Sequence, residues 1–141
     1  MPKLLIFNFD GTSNEPSDAE QSINENGVKE DDNITNILKF HLLCGGNLKS
    51  TSGQASGWED SNQKCFYYHG VGTYGSKLRR TINALISPEK SDIANILNRA
   101  KADFIQHFQK GDEVLLTGFS RGGALATRFC SIISEDMPGL K

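Results

Sequence analysis

Ser120 stands within Gly118-Phe119-Ser120-Arg121-Gly122, a spacing with a steric cause. Where a strand reverses into a helix within a few residues, the positions two before and two after the apex crowd the backbone and must be nearly free of side chain. Gly118 and Gly122 meet that demand. Such a turn is a nucleophile elbow, which lifts a hydroxyl clear of a sheet to attack an acyl carbon; the plainer reading is that Ser120 merely caps the following helix. A serine hydroxyl also needs a base to take its proton and a third group to fix the tautomer of that base. Glu135 and Asp136 follow Ser120 but no histidine does, because His41, His69 and His107 all precede it. His107 is expected to be exposed on a helix and His41 reads as a helix-face residue. His69 ends a predicted strand at the same sheet edge as Ser120, which makes it the histidine expected at the border of the site.

Charge that develops on an attacked carbonyl needs backbone N–H donors. One is expected from Arg121, the residue after the serine, and the other from Gly11 or Thr12 at the end of a neighbouring strand. Gly11-Thr12 also fits an ordinary strand-end turn. Arg121 reads as a surface arginine, or as a partner for Asp10 or for an anionic head group.

Two other motifs compete. Asn8-Phe9-Asp10-Gly11-Thr12 is similar to the opening of the haloacid-dehalogenase phosphatases, whose first aspartate is the nucleophile; here that position is Asn8, an amide that cannot form an acyl phosphate. Gly70-Val71-Gly72-Thr73-Tyr74-Gly75 fits the G-x-G-x-x-G fingerprint of a nucleotide-binding module. No clear helix opens within it and it is not the first βα turn of the chain, so glycine turns near a site edge are the expected account. No cofactor is called for. The three cysteines, Cys44, Cys65 and Cys130, include no C-x-x-C pair and have no histidine at ligand spacing, so no metal site is expected and they read as reduced thiols, with Cys130 buried on a helix face.

The elements that must position these residues follow from hydrophobic pattern. Leu4 to Phe9 reads as a strand buried on both faces. Ser13 to Asp32 is polar and acidic and is expected to be a solvated loop. From Asn33, the residues Ile34, Ile37, Leu38, His41 and Leu42 recur at helical spacing behind an Asp32 cap, and Gly45-Gly46 end the helix. Asn47 to Gln63 reads as a second loop, and Cys65 to His69 as the second strand. A short helix falls between Ser76 and Ile86. Ser87-Pro88 then opens an amphipathic helix carrying Ile93, Leu97, Ala100, Phe104 and Phe108, which Gly111 terminates. Glu113 to Thr117 is a strand, and the helix after Ser120 carries Leu125, Phe129, Ile132 and Ile133 to an end near Glu135. This order predicts an α/β fold, an open and mostly parallel sheet with flanking helices.

At 141 residues the chain is one domain at most. Its net charge of −2 gives no electrostatic footprint for nucleic acid. The N-terminal apolar run is too short for a signal peptide and no run spans a bilayer, so synthesis in the cytoplasm is expected.

Taken together, Phe9-Asp10-Gly11-Thr12, Thr35-Asn36-Ile37, Tyr68-His69-Gly70-Val71-Gly72-Thr73, and Gly111-Asp112-Glu113-Val114 leading into Gly118-Phe119-Ser120-Arg121-Gly122 resemble the α/β hydrolase domain of type VI secretion phospholipase effectors. The order and spacing match over nearly the whole chain. The resemblance implies a bacterial lipase that cleaves acyl esters of phospholipids with a Ser-Asp-His triad, is delivered by a secretion apparatus and is often neutralised at home by an immunity protein. Ser120 would be the nucleophile, with Gly11, Thr12 and Arg121 bordering the oxyanion site. Gly123 departs from the family's usual alanine and lowers helix propensity in the first turn. No residue here matches the family's aspartate and histidine, which lie further along. The expectation is therefore a partial α/β hydrolase catalytic domain over 1–141, its N-terminal part, lacking the C-terminal part that carries acid and base and inactive alone. The alternative is a non-catalytic truncated remnant, or an interaction module that binds a partner through an open sheet edge.

Overall fold

The apolar run Leu4–Phe9 forms strand β1 at the centre of a sheet. The computed structural model describes residues 2–11, 20–23, 25–27, 29–32, 35–46, 56–59, 62–70 and 89–137. Their elements are β1, a hairpin of β2 (Glu20–Ile23) and β3 (Lys29–Asp32), helix α1 (Asn36–Leu43), β4 (Ser56–Glu59), β5 (Gln63–Tyr68), α2 (Glu89–His107), β6 (Glu113–Gly118) and α3 (Arg121–Asp136). The main sheet runs β4-β5-β1-β6. β5 and β6 flank β1 in parallel, and β4 pairs antiparallel with β5. The α/β expectation holds at this level, with three parallel strands between helices.

Strand pairing sorts the side chains onto two faces, since alternate residues point to opposite sides. Leu5, Phe7 and Phe9 share one face with Phe66 and Tyr68 of β5 and with Val114 and Leu116 of β6. α2 brings Ile96, Ala100 and Phe104 to this face, and α3 brings Leu125, Ala126, Phe129 and Ile133. The Phe7 ring lies 4.7 Å from that of Phe66 and 5.1 Å from that of Phe129. Burying each large aromatic stabilises the fold by roughly 1.5–3 kcal/mol. α1 covers the other face with Ile37 and Leu38, packed with Tyr67. β1 is thus covered on both sides, as its uninterrupted apolar pattern requires.

The ends of the elements explain where the prediction strays. The loop predicted over 13–32 contains the β2–β3 hairpin, with Glu20 opposite Asp32 and Ile23 opposite Lys29, and Gly27 at φ 73° between the strands. Asp32 is used in that ladder, so the cap of α1 is Thr35 instead, whose hydroxyl accepts the Leu38 N–H at 3.1 Å. Gly45, at φ 95°, ends α1 as predicted. The loop predicted over 47–63 contains β4, drawn into order by pairing with β5. Cys130 is exposed, not buried: it falls one residue past the buried stripe of Leu125, Ala126, Phe129 and Ile133. His107 is half-buried, its ring 5.6 Å from that of Phe66, rather than exposed. Asp112 ties the entry to β1 to the turn before β6, accepting the Lys3 and Gln109 N–H groups at 2.9 Å each. The predicted helix over 76–86, the Ser87-Pro88 cap and the glycine run beyond Gly70 lie outside the described residues. Among the described residues no helix is long and apolar enough to cross a membrane.

Candidate functional site

β1 and β6 run side by side with Phe9 opposite Gly118, so the C-terminal ends of the two strands meet at one edge of the sheet. The connection that leaves β1 returns as β5 on one side, and the chain later reappears as β6 on the other. Open parallel sheets bind ligands where strand order reverses in this way, beyond the C-terminal ends of the strands.

At that edge the chain passes from β6 to α3 through Phe119 and Ser120 alone. Ser120 has φ 55° and ψ −127°, and among the described residues it is the one non-glycine with positive φ. A side chain held there costs about 1–3 kcal/mol, which the surroundings must offset. The surroundings are tight. A Cβ on Gly118 would come within 2.4 Å of the Gly122 carbonyl oxygen, and one on Gly122 within 2.2 Å of the Phe9 oxygen and 2.4 Å of the Asp10 oxygen. Backbone bonds hold the turn: the Phe119 N–H donates to the Phe9 oxygen at 3.2 Å, Gly122 to Phe119 at 2.9 Å and Gly123 to Ser120 at 3.0 Å. Ser120 occupies the cap position of α3 but makes no side-chain cap hydrogen bond, and it is exposed. The plain capping account of this serine therefore lacks its bond.

Beneath the turn lies Asp10, 1% exposed. One carboxylate oxygen accepts the Gly11 N–H at 2.7 Å; the other accepts the Thr35 hydroxyl at 2.7 Å and the Tyr67 hydroxyl through a short bond. The Asp10 N–H donates to the Tyr68 oxygen at 3.1 Å. The carboxylate that the sequence offered as a partner for Arg121 is thus engaged by β5, by the start of α1 and by its own following peptide. Gly11 is buried and its N–H points at Asp10; Thr12 lies outside the described residues. Arg121 is half-buried in the first turn of α3.

A second buried polar cluster lies deeper in the sheet. Asn8 accepts the Thr117 hydroxyl at 2.6 Å, and its amide donates to the Phe66 oxygen at 3.0 Å and lies 3.5 Å from Nδ1 of His41. His41 is fully buried and packs against Tyr67, their ring centroids 5.3 Å apart. Burial lowers its pKa from 6.5 to about 4, so the imidazole is neutral at physiological pH. Among the described residues no buried side-chain nitrogen or oxygen lacks a partner.

The fold thus gathers Gly118, Ser120, Gly122, Asp10 and Gly11 at one point. His69, 7% exposed, directly follows β5 on the far side of β1, with its ring 5.9 Å from that of Tyr67; it shares the edge but stands across the central strand from β6. Sequence reasoning missed Tyr67 and Thr35 as members of this cluster. Thr35 carried a signal, a threonine directly before an apolar stripe at helical spacing. Tyr67 carried none beyond a β-prone run. No group of three histidine, cysteine, aspartate or glutamate residues that could hold a metal occurs among the described residues.

A family model described as T6SS, Phospholipase effector Tle1-like, catalytic domain, matches residues 3–136. No curated protein and no solved structure matches the chain.

Proposed function

Because the chain belongs to the family of Tle1-like phospholipase effector catalytic domains of type VI secretion, we propose that it is the elbow-bearing part of an α/β hydrolase that cleaves acyl esters of phospholipids with Ser120 as nucleophile. The observation that carries the reading is the backbone of Ser120. A φ of 55° is strained for a serine, and the crowding at Gly118 and Gly122 leaves no side-chain alternative to glycine at either. Strain of this kind is stored where a side chain must be presented rather than packed. The exposed hydroxyl, uncommitted to a helix cap, fits that purpose.

In the proposed reaction the Ser120 Oγ adds to the ester carbonyl as its proton passes to a base, and the acyl oxygen takes up the negative charge. The Arg121 N–H is one donor to that oxygen, and the turn at Gly11 and Thr12 supplies the other. The Gly11 N–H is directed to Asp10, which favours Thr12. Loss of the alcohol leaves an acyl-serine that water then hydrolyses. Of the histidines within the chain, His41 is accounted for as a neutral packed ring behind the sheet. His69 is the internal candidate for the base, and otherwise acid and base reach Ser120 from polypeptide outside residues 1–141 or from a second chain. Delivery by the secretion apparatus and neutralisation by an immunity protein belong to the same proposal.

The test is turnover of a short-chain nitrophenyl ester by the purified chain against Ser120→Ala. An intact triad exceeds oxyanion assistance alone by several orders of magnitude, the latter reaching only about 10³ to 10⁴ over water. Serine-dependent turnover above that floor establishes a base within these residues and makes His69→Ala the next variant. Turnover equal to that of Ser120→Ala, persisting after the chain is extended or supplied with a partner, removes the hydrolase reading. One observation favours a second reading, an interaction module: β6 ends the sheet, and among the described residues none pairs with its outer edge. Partner binding that Ser120→Ala leaves intact would favour it.

A further inference from the structure

We infer that Asp10 is a positioning residue for the reaction at Ser120, the joint through which α1 and β5 hold the backbone turn beneath the serine; this rests on the hydrolase reading above. A buried carboxylate is costly unless its oxygens are satisfied, and each donor withdrawn leaves charge less compensated. Asp10 is 1% exposed and receives donors from three places: the Gly11 peptide, the Thr35 hydroxyl and the Tyr67 hydroxyl. The Thr35 oxygen at the same time caps α1 through the Leu38 N–H. That places the carboxylate by the N-terminus of α1, where the helix dipole favours negative charge.

The backbone of Asp10 transmits what its side chain fixes. Its N–H is tied to the Tyr68 oxygen of β5. Its own carbonyl oxygen and that of Phe9 fill the space that a Cβ on Gly122 would need. The first turn of α3 therefore rests directly on the Phe9-Asp10 backbone, and the Phe119 N–H bonds to the same segment. Moving Asp10 by a few tenths of an ångström moves the floor under Ser120. With its N–H held by the Asp10 carboxylate, Gly11 contributes a backbone path to the site. The carboxylate faces Thr35 and Tyr67, so Asp10 acts through the turn and touches no substrate.

The experiment uses the ¹⁵N-labelled chain with Asp10→Asn, Tyr67→Phe, Thr35→Val and the conservative Thr35→Ser. Phe104→Leu, in the core between α2 and the sheet, serves as a control destabilised away from the turn. Two quantities are read: the amide resonances of Gly11, Phe119 and Arg121, and kcat and KM on nitrophenyl butyrate above the Ser120→Ala blank. The expected result is that Asp10→Asn, Tyr67→Phe and Thr35→Val shift those amides and lower kcat on the order of 10- to 100-fold with KM little changed. Thr35→Ser is expected to restore both, and Phe104→Leu to leave both near wild type. Amides and kcat that follow only global stability, with the three variants indistinguishable from Phe104→Leu, overturn the inference. If the wild type does not exceed the Ser120→Ala blank, as is expected where acid and base come from outside residues 1–141, the amides alone decide the joint: shifted resonances uphold it and unshifted ones refute it, while the hydrolase reading is judged separately on the extended or partnered chain.

Discussion

Two adjacent glycines in the first turn of α3 are predicted to respond oppositely to the same substitution. At Gly122 an added methyl would lie 2.2 Å from the Phe9 carbonyl oxygen, a backbone atom that cannot swing away. Gly122→Ala is expected to cost about 2 kcal/mol or more and to remove serine-dependent turnover. At Gly123 the nearest atom would be 3.7 Å away, ordinary contact. Gly123→Ala should stabilise by roughly 0.5–1 kcal/mol through helix propensity and lower unfolded-state entropy. Urea unfolding of the two variants checks both signs. Ser120→Gly makes a third case: relief of the φ 55° strain should raise stability by about 1 kcal/mol while it abolishes the hydroxyl chemistry. A stability equal to or below that of wild type would show that the backbone is not strained at this serine.

The packing of α1 on the sheet is predicted to weaken in mild acid. His41 has its folded pKa lowered to about 4 from 6.5 by burial, so between these values the unfolded chain binds more protons than the folded one. Stability therefore falls as pH drops from about 6.5 toward 4, by about 3 kcal/mol over the window, and does not change further from this group above it. The thermal midpoint of the wild type should drop across that interval more steeply than that of His41→Asn. Equal slopes would refute the assignment. Legibility followed the same physics at this scale. β1, β5, α2 and α3 could be read because each buries a continuous run or stripe, and the pattern is a direct record of that burial; β6, none of whose residues is fully buried, was read from its apolar Val114-Leu115-Leu116 run. The β2–β3 hairpin was not read, since Glu20-Gln21-Ser22 and Lys29-Glu30-Asp31-Asp32 have no alternation to betray a buried face; Asn26-Gly27 was the one turn signal available. β4 was hidden likewise in a Ser- and Gly-rich stretch, its order supplied by β5. The serine turn was legible because its steric demand is written in two glycines. The carboxylate joint was not, because Asp10, Thr35 and Tyr67 are brought together only by the tertiary fold.

For the whole molecule, the strand that delivers Ser120 is also, among the described residues, an edge of the sheet. Leu115 of β6 is 39% exposed and Phe119 is 57% exposed. A parallel edge of this kind, apolar and uncharged over Val114-Leu115-Leu116, is a template for association. Sedimentation velocity is expected to show concentration-dependent self-association that Leu115→Lys suppresses; a chain monomeric at every concentration would argue that the edge is protected. Inside the sheet the safeguard is different. Asn8 reaches Thr117 on one neighbour and the Phe66 carbonyl on the other, so one amide is keyed to all three parallel strands. A two-residue slip would preserve the inside-outside alternation of a strand, and apolar packing alone would penalise it little. A two-residue slip of β6 would put Leu115 or Phe119 where the Thr117 hydroxyl donates to the Asn8 oxygen, and neither side chain can do so. The amide thus works as an indexing pin: the serine turn comes to rest over Asp10, and not a residue pair away, because of a bond made inside the sheet.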